Sequence, residues 1–316
     1  MNTVMKEICE LMLELHPKVV EFAELRLTYI ANCVFNSFLS YTSIILNILT
    51  IHAIRKTSSL PSSLKTFLLS LAVSDVAVGL LSQPFYTSLL VKWLQKNNPG
   101  CKTYVMFNVI FDVFSVASFF GVVAVSVDRF LAIHLHLRYQ ELVTHKRVVA
   151  VVISLWALSV FLPLAMFWIP PNISTVVMLF VGVIGLLVTT VAYNRIYVAV
   201  QRHKNQIQTQ RVQEEAESGE LANFASLIKS AVGVFYVYLV FLICYLPFFI
   251  GLVAYAVKSP SLSLKRFYLS SLTLVYLNSS LNPVIYCWKM RHIRHAIVDI
   301  LRNMPRFRNR ETHLSA

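Results

Sequence analysis

The chain has 316 residues, 57% of them hydrophobic and only 14% charged, with a mean hydropathy of +0.64. A soluble domain carries about 25% charged residues, so this composition argues against a water-soluble globule. The net charge of +13 raises the question of nucleic acid, but the placement of the cations along the chain argues for a membrane surface instead.

Residues 1–27 carry Glu7, Glu10, Glu14, Glu21 and Glu24 and no clean apolar run, unlike a secretory signal. They are expected to form an extracellular segment, with the first span as an uncleaved anchor. Ile8, Leu11, Met12 and Leu15 fit one helical face, either a solvated amphipathic turn or a cap over a helix bundle.

Seven stretches then reach the roughly 20 apolar residues that cross a bilayer. They lie at 28–53, 63–91, 102–133, 147–169, 175–200, 227–257 and 265–288. None alternates as a barrel strand would, and backbone in lipid must satisfy itself, so helices are expected. The fold class is an all-α membrane protein. It is a seven-transmembrane helix bundle over 28–288, followed by a short amphipathic cytoplasmic helix at 289–303 and a disordered basic tail at 304–316.

Span one contains Asn47, whose amide should face other helices. Span two contains Asp75 near mid-membrane, where a lone carboxylate is costly and marks a functional position. In span three, Asn108, Phe111 and Asp112 share one helical face by their spacing, and Ser118 lies deeper. This span ends at Asp128-Arg129-Phe130, an ion pair at the lip of the membrane. Span four has Trp156. Asn172-Ile173-Ser174, just after it, is a glycosylation sequon that makes Asn172 the acceptor. Span five ends with Tyr193, and the polar stretch at 201–223 reads as a helical extension and inner loop. Span six holds Phe241, Tyr245 and Pro247, with a kink expected at the proline. Span seven carries Asn278 and closes on Asn282-Pro283-Val284-Ile285-Tyr286. Beyond it, Trp288, Ile293, Ile297, Ile300 and Leu301 alternate with basic residues, the pattern of a helix lying on a membrane surface.

With the C-terminus inside, 19 of the 28 Lys and Arg fall in inner segments. The positive-inside bias therefore places the N-terminus outside and the C-terminus in the cytoplasm. Of the five cysteines, Cys9 and Cys101 fall in the oxidising compartment, and no pair has metal-ligand spacing.

Asn47, Leu71 to Asp75, Cys101, Asp128-Arg129-Phe130, Trp156, Tyr193, Phe241 with Pro247, and Asn282 to Tyr286 occur in order along the spans. With these residues the chain resembles the rhodopsin-like G-protein-coupled receptors over about residues 30–300. The stretch 70–79 with Pro84-Phe85 resembles the adenosine and amine receptors. The short second outer loop resembles the melanocortin and related lipid-receptor group.

The resemblance implies a plasma-membrane receptor that takes a small-molecule or peptide agonist and activates a heterotrimeric G protein. It implies coupling and switch roles for Asp128, Arg129, Phe130, Tyr193, Phe241, Pro247, Asn282, Pro283 and Tyr286. The family's outer disulfide starts at the position of Cys101, but the second outer loop has no cysteine. Either Cys9 takes its place or Cys101 is free. The amine-binding acid of the family falls at Phe111, its retinal lysine at Tyr276, its toggle tryptophan at Tyr245 and its span-five proline at Gly185.

Gln83, Tyr86, Asn108, Phe111, Asp112, Tyr245, Phe248, Phe249, Tyr268 and Tyr276 are expected to face the outer half of the bundle as a ligand pocket. No cofactor is implied, save a sodium ion at Asp75, Ser118, Asn278 and Asn282, with Asn47 steadying Asn282 from span one. A carboxylate without a nearby cation suits a hard ion with oxygen ligands, and protonation is the rival solution. Ser226-Leu227-Ile228-Lys229 lacks the acid that holds Arg129's counterpart in many relatives, so raised basal signalling is expected. A transporter would show matched broken helices, and an intramembrane enzyme would need a nucleophile and base within the spans. Neither signature is in the sequence.

Overall fold

The computed structural model describes Cys9 and residues 21–311, apart from 59, 98, 136–137, 166–167, 211–217 and 258–260. At 171–172, 203–210, 218–226, 256 and 304–311 it describes backbone only. The face from Ile8 to Leu15, Cys9 aside, and the side chain of Asn172 lie outside these residues, as does the end of the tail beyond 311.

The elements are α1 (Phe22–Lys56), α2 (Ser62–Ala77), a π-helical turn (Val78–Ser82), α3 (Gln83–Leu94), α4 (Cys101–Leu135), α5 (Tyr139–Leu142), α6 (His145–Ala165), α7 (Pro171–Gln210), α8 (Ser218–Val257), α9 (Leu262–Lys289) and α10 (Arg291–Glu311). There is no strand among the described residues. Spans one to seven are α1, α2 with α3, α4, α6, α7, α8 and α9.

Six of these helices are long and apolar enough to cross a membrane. Span seven is long enough but less apolar, because it carries Lys265, Arg266, Asn278, Asn282 and several serines. Its polar residues turn inward: Ser271, Asn278, Ser279, Ser280 and Asn282 are all buried against neighbouring helices rather than offered to lipid. The outward faces carry large apolar side chains such as Phe35, Phe38, Phe161 and Phe180.

Span two bends where its sequence requires it. Pro84 has no N–H to donate, and its ring crowds the carbonyl one turn back. The chain widens there, and the Gln83 backbone N–H reaches back five residues to the Val78 carbonyl. Span one packs close to span two at Gly79, where a Cβ would come within 2.8 Å of Ile44. The Ser40 hydroxyl donates to the Gly79 carbonyl at 2.7 Å.

Span one is tied inward along its length. Asn36 donates to Thr273 at 2.8 Å, Ser43 to the Asp75 carbonyl at 2.9 Å and Asn47 to the Ser279 carbonyl at 2.9 Å. Asn47 therefore steadies span seven through the Ser279 backbone, not through Asn282 as expected from the sequence. Trp156 donates to Ser70 at 3.0 Å, joining spans four and two.

At the outer end, Cys9 is bonded to Cys101, with Cα atoms 5.5 Å apart. Lys265, 2% exposed, pairs with Glu21 at 2.6 Å. At the inner end α10 packs Ile293 and Ile297 onto the bundle. It runs to Glu311, so the tail expected to be disordered from 304 is helical at its start; Met304-Pro305 does not stop the helix.

Candidate functional site

The inner site is built around Arg129, which span three carries near its C-terminal end. Its side chain is 1% exposed, among the largest fully buried in the protein. A guanidinium this deep needs several acceptors, and it has them. Nε donates to Asp128 Oδ2 at 3.0 Å, and Nη2 donates to the same oxygen. Nη1 donates to Ser230 Oγ at 3.0 Å, and Nη2 also donates to Ser63 Oγ at 3.4 Å. Asp128 accepts in turn from the Tyr139 hydroxyl at 2.6 Å, and Tyr139 shares a 2.6 Å bond with Ser63. Burial pushes the Tyr139 phenol up to about 12, and the neighbouring Asp128 adds to the effect. One side chain thereby bridges spans two, three and six.

Three of these partners carry no mark in the sequence. Ser63 and Ser230 are 66 and 101 residues from Arg129, and a serine among apolar residues gives no signal of its own. Tyr139 sits on α5, 11 residues beyond Asp128. Among the described side chains, the contact from span six comes from Ser230, just beyond the stretch that lacks an acid. Phe130 takes no part, and its ring stacks on His134 with centroids 5.3 Å apart. Tyr193 lies 3.3 Å from the Ser126 hydroxyl. Tyr286 is fully buried, and its hydroxyl meets no hydrogen-bond partner among the described residues.

A second cluster lies around Asp75, which is 0% exposed. Asn282 donates to its Oδ2 at 2.9 Å. Asp75 Oδ1 and the Oδ1 atoms of Asn47, Asn278 and Asn282 are buried without a hydrogen-bond partner among the described residues. Ser118 is also buried, within hydrogen-bond reach of the Tyr245 hydroxyl. A buried carboxylate beside the Asn282 amide, with orphaned amide oxygens on spans one and seven, offers hard oxygens of the kind a small cation takes.

The outer candidates pack largely against one another. Phe111 meets Phe248 at 5.3 Å and the edge of Tyr276 at 5.8 Å. Tyr86 meets Tyr276 at 5.5 Å, Phe248 meets Tyr268 at 5.8 Å, and Tyr245 meets Phe249 at 6.4 Å. Rings at these separations fill the space between helices. Gln83 is fully buried with its whole amide unpaired among the described residues, while Tyr276 bonds Ser82 at 2.9 Å. Asp112 is half-buried and has no hydrogen-bond or ion-pair partner among the described residues. Asn108, Tyr86 and Tyr268 line a cleft of about 30 Å³ with Tyr29, Trp93 and Phe107, three rings that no sequence motif marks.

Comparison with known proteins decides the family. A model of the 7 transmembrane receptor (rhodopsin family) matches residues 46–172 and 167–286. The chain belongs to the rhodopsin family of seven-transmembrane receptors. This receptor is 27% identical over 293 residues to the adenosine receptor A2a of Canis lupus familiaris, covering 81% of this chain and 68% of that one. It is 27% identical to the histamine H2 receptor of the same species, covering 85% and 79%. A shorter match, 37% over 135 residues, links it to the adenosine receptor A2b of Gallus gallus and covers 43% and 38%. It is thus a multi-pass membrane G-protein-coupled receptor, related to receptors and not to enzymes.

Proposed function

We propose that this receptor binds a small agonist in the outer half of its bundle and activates a heterotrimeric G protein at its inner face. The proposed orientation puts the N-terminus outside the plasma membrane and the C-terminus in the cytoplasm, in line with the cation bias. The observation that carries the reading is Arg129. A buried guanidinium bridging three helices through one carboxylate and two hydroxyls is a closure that can open. When span six moves away, Arg129 loses Ser230 and lines the cavity left behind. An α subunit whose terminal helix fills that cavity binds only the open form. Agonist and G protein therefore strengthen each other's binding by the same factor.

The agonist class is inferred from the outer cluster. Phe111, Phe248 and Tyr276 offer ring faces and edges, and Asp112 offers an acceptor without a described partner. A flat, nitrogen-rich aromatic molecule with an N–H or ammonium group suits both features, in keeping with relatives named for adenosine and histamine. Such a ligand has to spread the packed rings, and that displacement is what reaches span six through Tyr245 and Phe241, stacked 4.1 Å apart.

For Asp75, a sodium ion held with Ser118, Asn278 and Asn282 would balance the buried carboxylate. The orphaned oxygens of Asp75, Asn278 and Asn282 support this assignment. The test of the whole reading is nucleotide exchange on purified G protein across purine nucleosides and biogenic amines. Stimulation that Asp112→Asn weakens, with surface expression kept, supports it. A panel-wide lack of stimulation in a receptor whose span six is shown to move would overturn the agonist class.

A further inference from the structure

The elbow between span seven and α10 holds a second cation against span six, and no carboxylate is involved. Lys289 is the last residue of span seven, and Met290 beyond it turns the chain with φ −108° and ψ 95°. The Lys289 ammonium sits 3.5 Å from the centroid of the Trp288 ring and 3.9 Å from that of Tyr236 on span six. The two rings are 5.3 Å apart and tilted by 58°, so the ammonium lies in a wedge of two π faces. One turn away, span six carries Gly233. A Cβ there would come within 3.1 Å of Met290 Cε and 3.7 Å of Lys289 Cβ. Met290 is 5% exposed, so span six lies directly on the elbow.

We propose that Lys289, wedged between Trp288 and Tyr236, is a latch that holds the inner end of span six against span seven and sets the ligand-free activity of the receptor. The physical argument is one of difference. A cation over an aromatic face is attracted by the ring quadrupole, more so where water is scarce. Tyr236 belongs to the moving helix, whereas Trp288 and Lys289 belong to the fixed one. Any displacement of span six away from span seven pulls Tyr236 off the ammonium and leaves Trp288 behind. The contact therefore exists in one state only, which is the condition for biasing an equilibrium. It works beside Arg129–Ser230, which ties the same helix to span three. Both ties are cationic and both have neutral partners on span six, so neither has the strength of a buried ion pair. A lysine serving only lipid headgroups would gain nothing from closing on Tyr236.

The inference rests on the reading of span six as the moving element. The experiment therefore reads that motion without a G protein. Spin labels at Lys146→Cys on span four and Lys229→Cys on span six, both exposed positions, report the distance between inner ends. All variants share one background in which Cys33, Cys244 and Cys287 are replaced. In detergent without ligand, Lys289→Met and Tyr236→Leu should each raise the longer-distance population, and ligand-free nucleotide exchange with it, by roughly three- to tenfold. The double variant should do no more than either single one. Lys289→Arg and Tyr236→Phe, which keep the cation and the π face, should stay near the starting values. Should Lys289→Met fail to reach the membrane, Tyr236→Leu and Trp288→Ala read the same wedge. Unchanged distances in Lys289→Met and Tyr236→Leu, or additive effects in the double variant, would overturn the latch. A distance change without any nucleotide exchange would spare the latch and count against the coupling reading instead.

Discussion

At the scale of single residues, burial decides what a substitution does. Arg129 sits at a membrane lip, where sequence alone suggests that alanine is harmless to folding. Its 1% exposure says otherwise. Arg129→Ala leaves the Asp128 carboxylate buried with Tyr139 as its remaining hydrogen-bond donor. Breaking a buried pair from one side costs about 3–5 kcal/mol. Surface expression and thermal stability should fall together with coupling, and a thermal-shift assay on solubilised receptor measures it. Asp75 gives a second expectation that needs no agonist. Sodium, compared with an equal concentration of N-methyl-D-glucamine, should raise the melting temperature of the wild type by roughly 2–4 °C for each kcal/mol of binding. Asp75→Asn should abolish that difference. Equal melting temperatures of wild type in the two salts would make Asp75 a protonated structural acid.

At the scale of elements, the helices were legible because an apolar run of this length has few other uses. Span seven is the exception. Its serines and asparagines lower its hydropathy because that helix is walled by other helices, and a composition cannot show who the neighbours are. The π-turn in span two was foreshadowed only by Pro84. Span five shows how a family departure acquires a reason: Gly185 stands where relatives carry proline, and a Cβ there would run into the Phe119 ring. Phe119 also meets Phe241 at 5.8 Å, so the notch in span five seats a ring that touches span six. Gly185→Val should force that ring out, lower stability by about 1–3 kcal/mol and alter ligand-free exchange. Normal stability and exchange would show that Phe119 has another place to go. The disulfide from Cys9 to Cys101 straps the N-terminal segment to span three across 92 residues of sequence. The resemblance left that pairing open, because the partner lies in a segment where the family offers no fixed position. Cys9→Ser and Cys101→Ser should lower the melting temperature equally, and the double variant should match them.

At the scale of the whole molecule, the bundle turns large apolar side chains outward and carries a polar seam within an otherwise apolar core. Asn36, Ser43, Asn47, Asp75, Asn278 and Asn282 form a buried seam among spans one, two and seven. The inner contacts of span six include Arg129–Ser230, the Lys289 wedge and the Phe235 ring against Tyr193 at 4.9 Å. The rigid part was readable from motifs, since asparagines and an aspartate in apolar spans stand out. The movable part was not, since Ser63, Tyr139, Ser230 and Tyr236 are ordinary residues whose partners come from distant spans. The central claim is that Arg129 holds span six closed through a neutral hydroxyl. It is tested most directly by ligand-free nucleotide exchange on purified G protein with Ser230→Glu and Asp128→Asn. Placing a carboxylate where Ser230 meets Arg129 at 3.0 Å should lower the basal rate, and freeing Arg129 from Asp128 should raise it. A basal rate that rises with Ser230→Glu, or that neither substitution changes, would contradict the account.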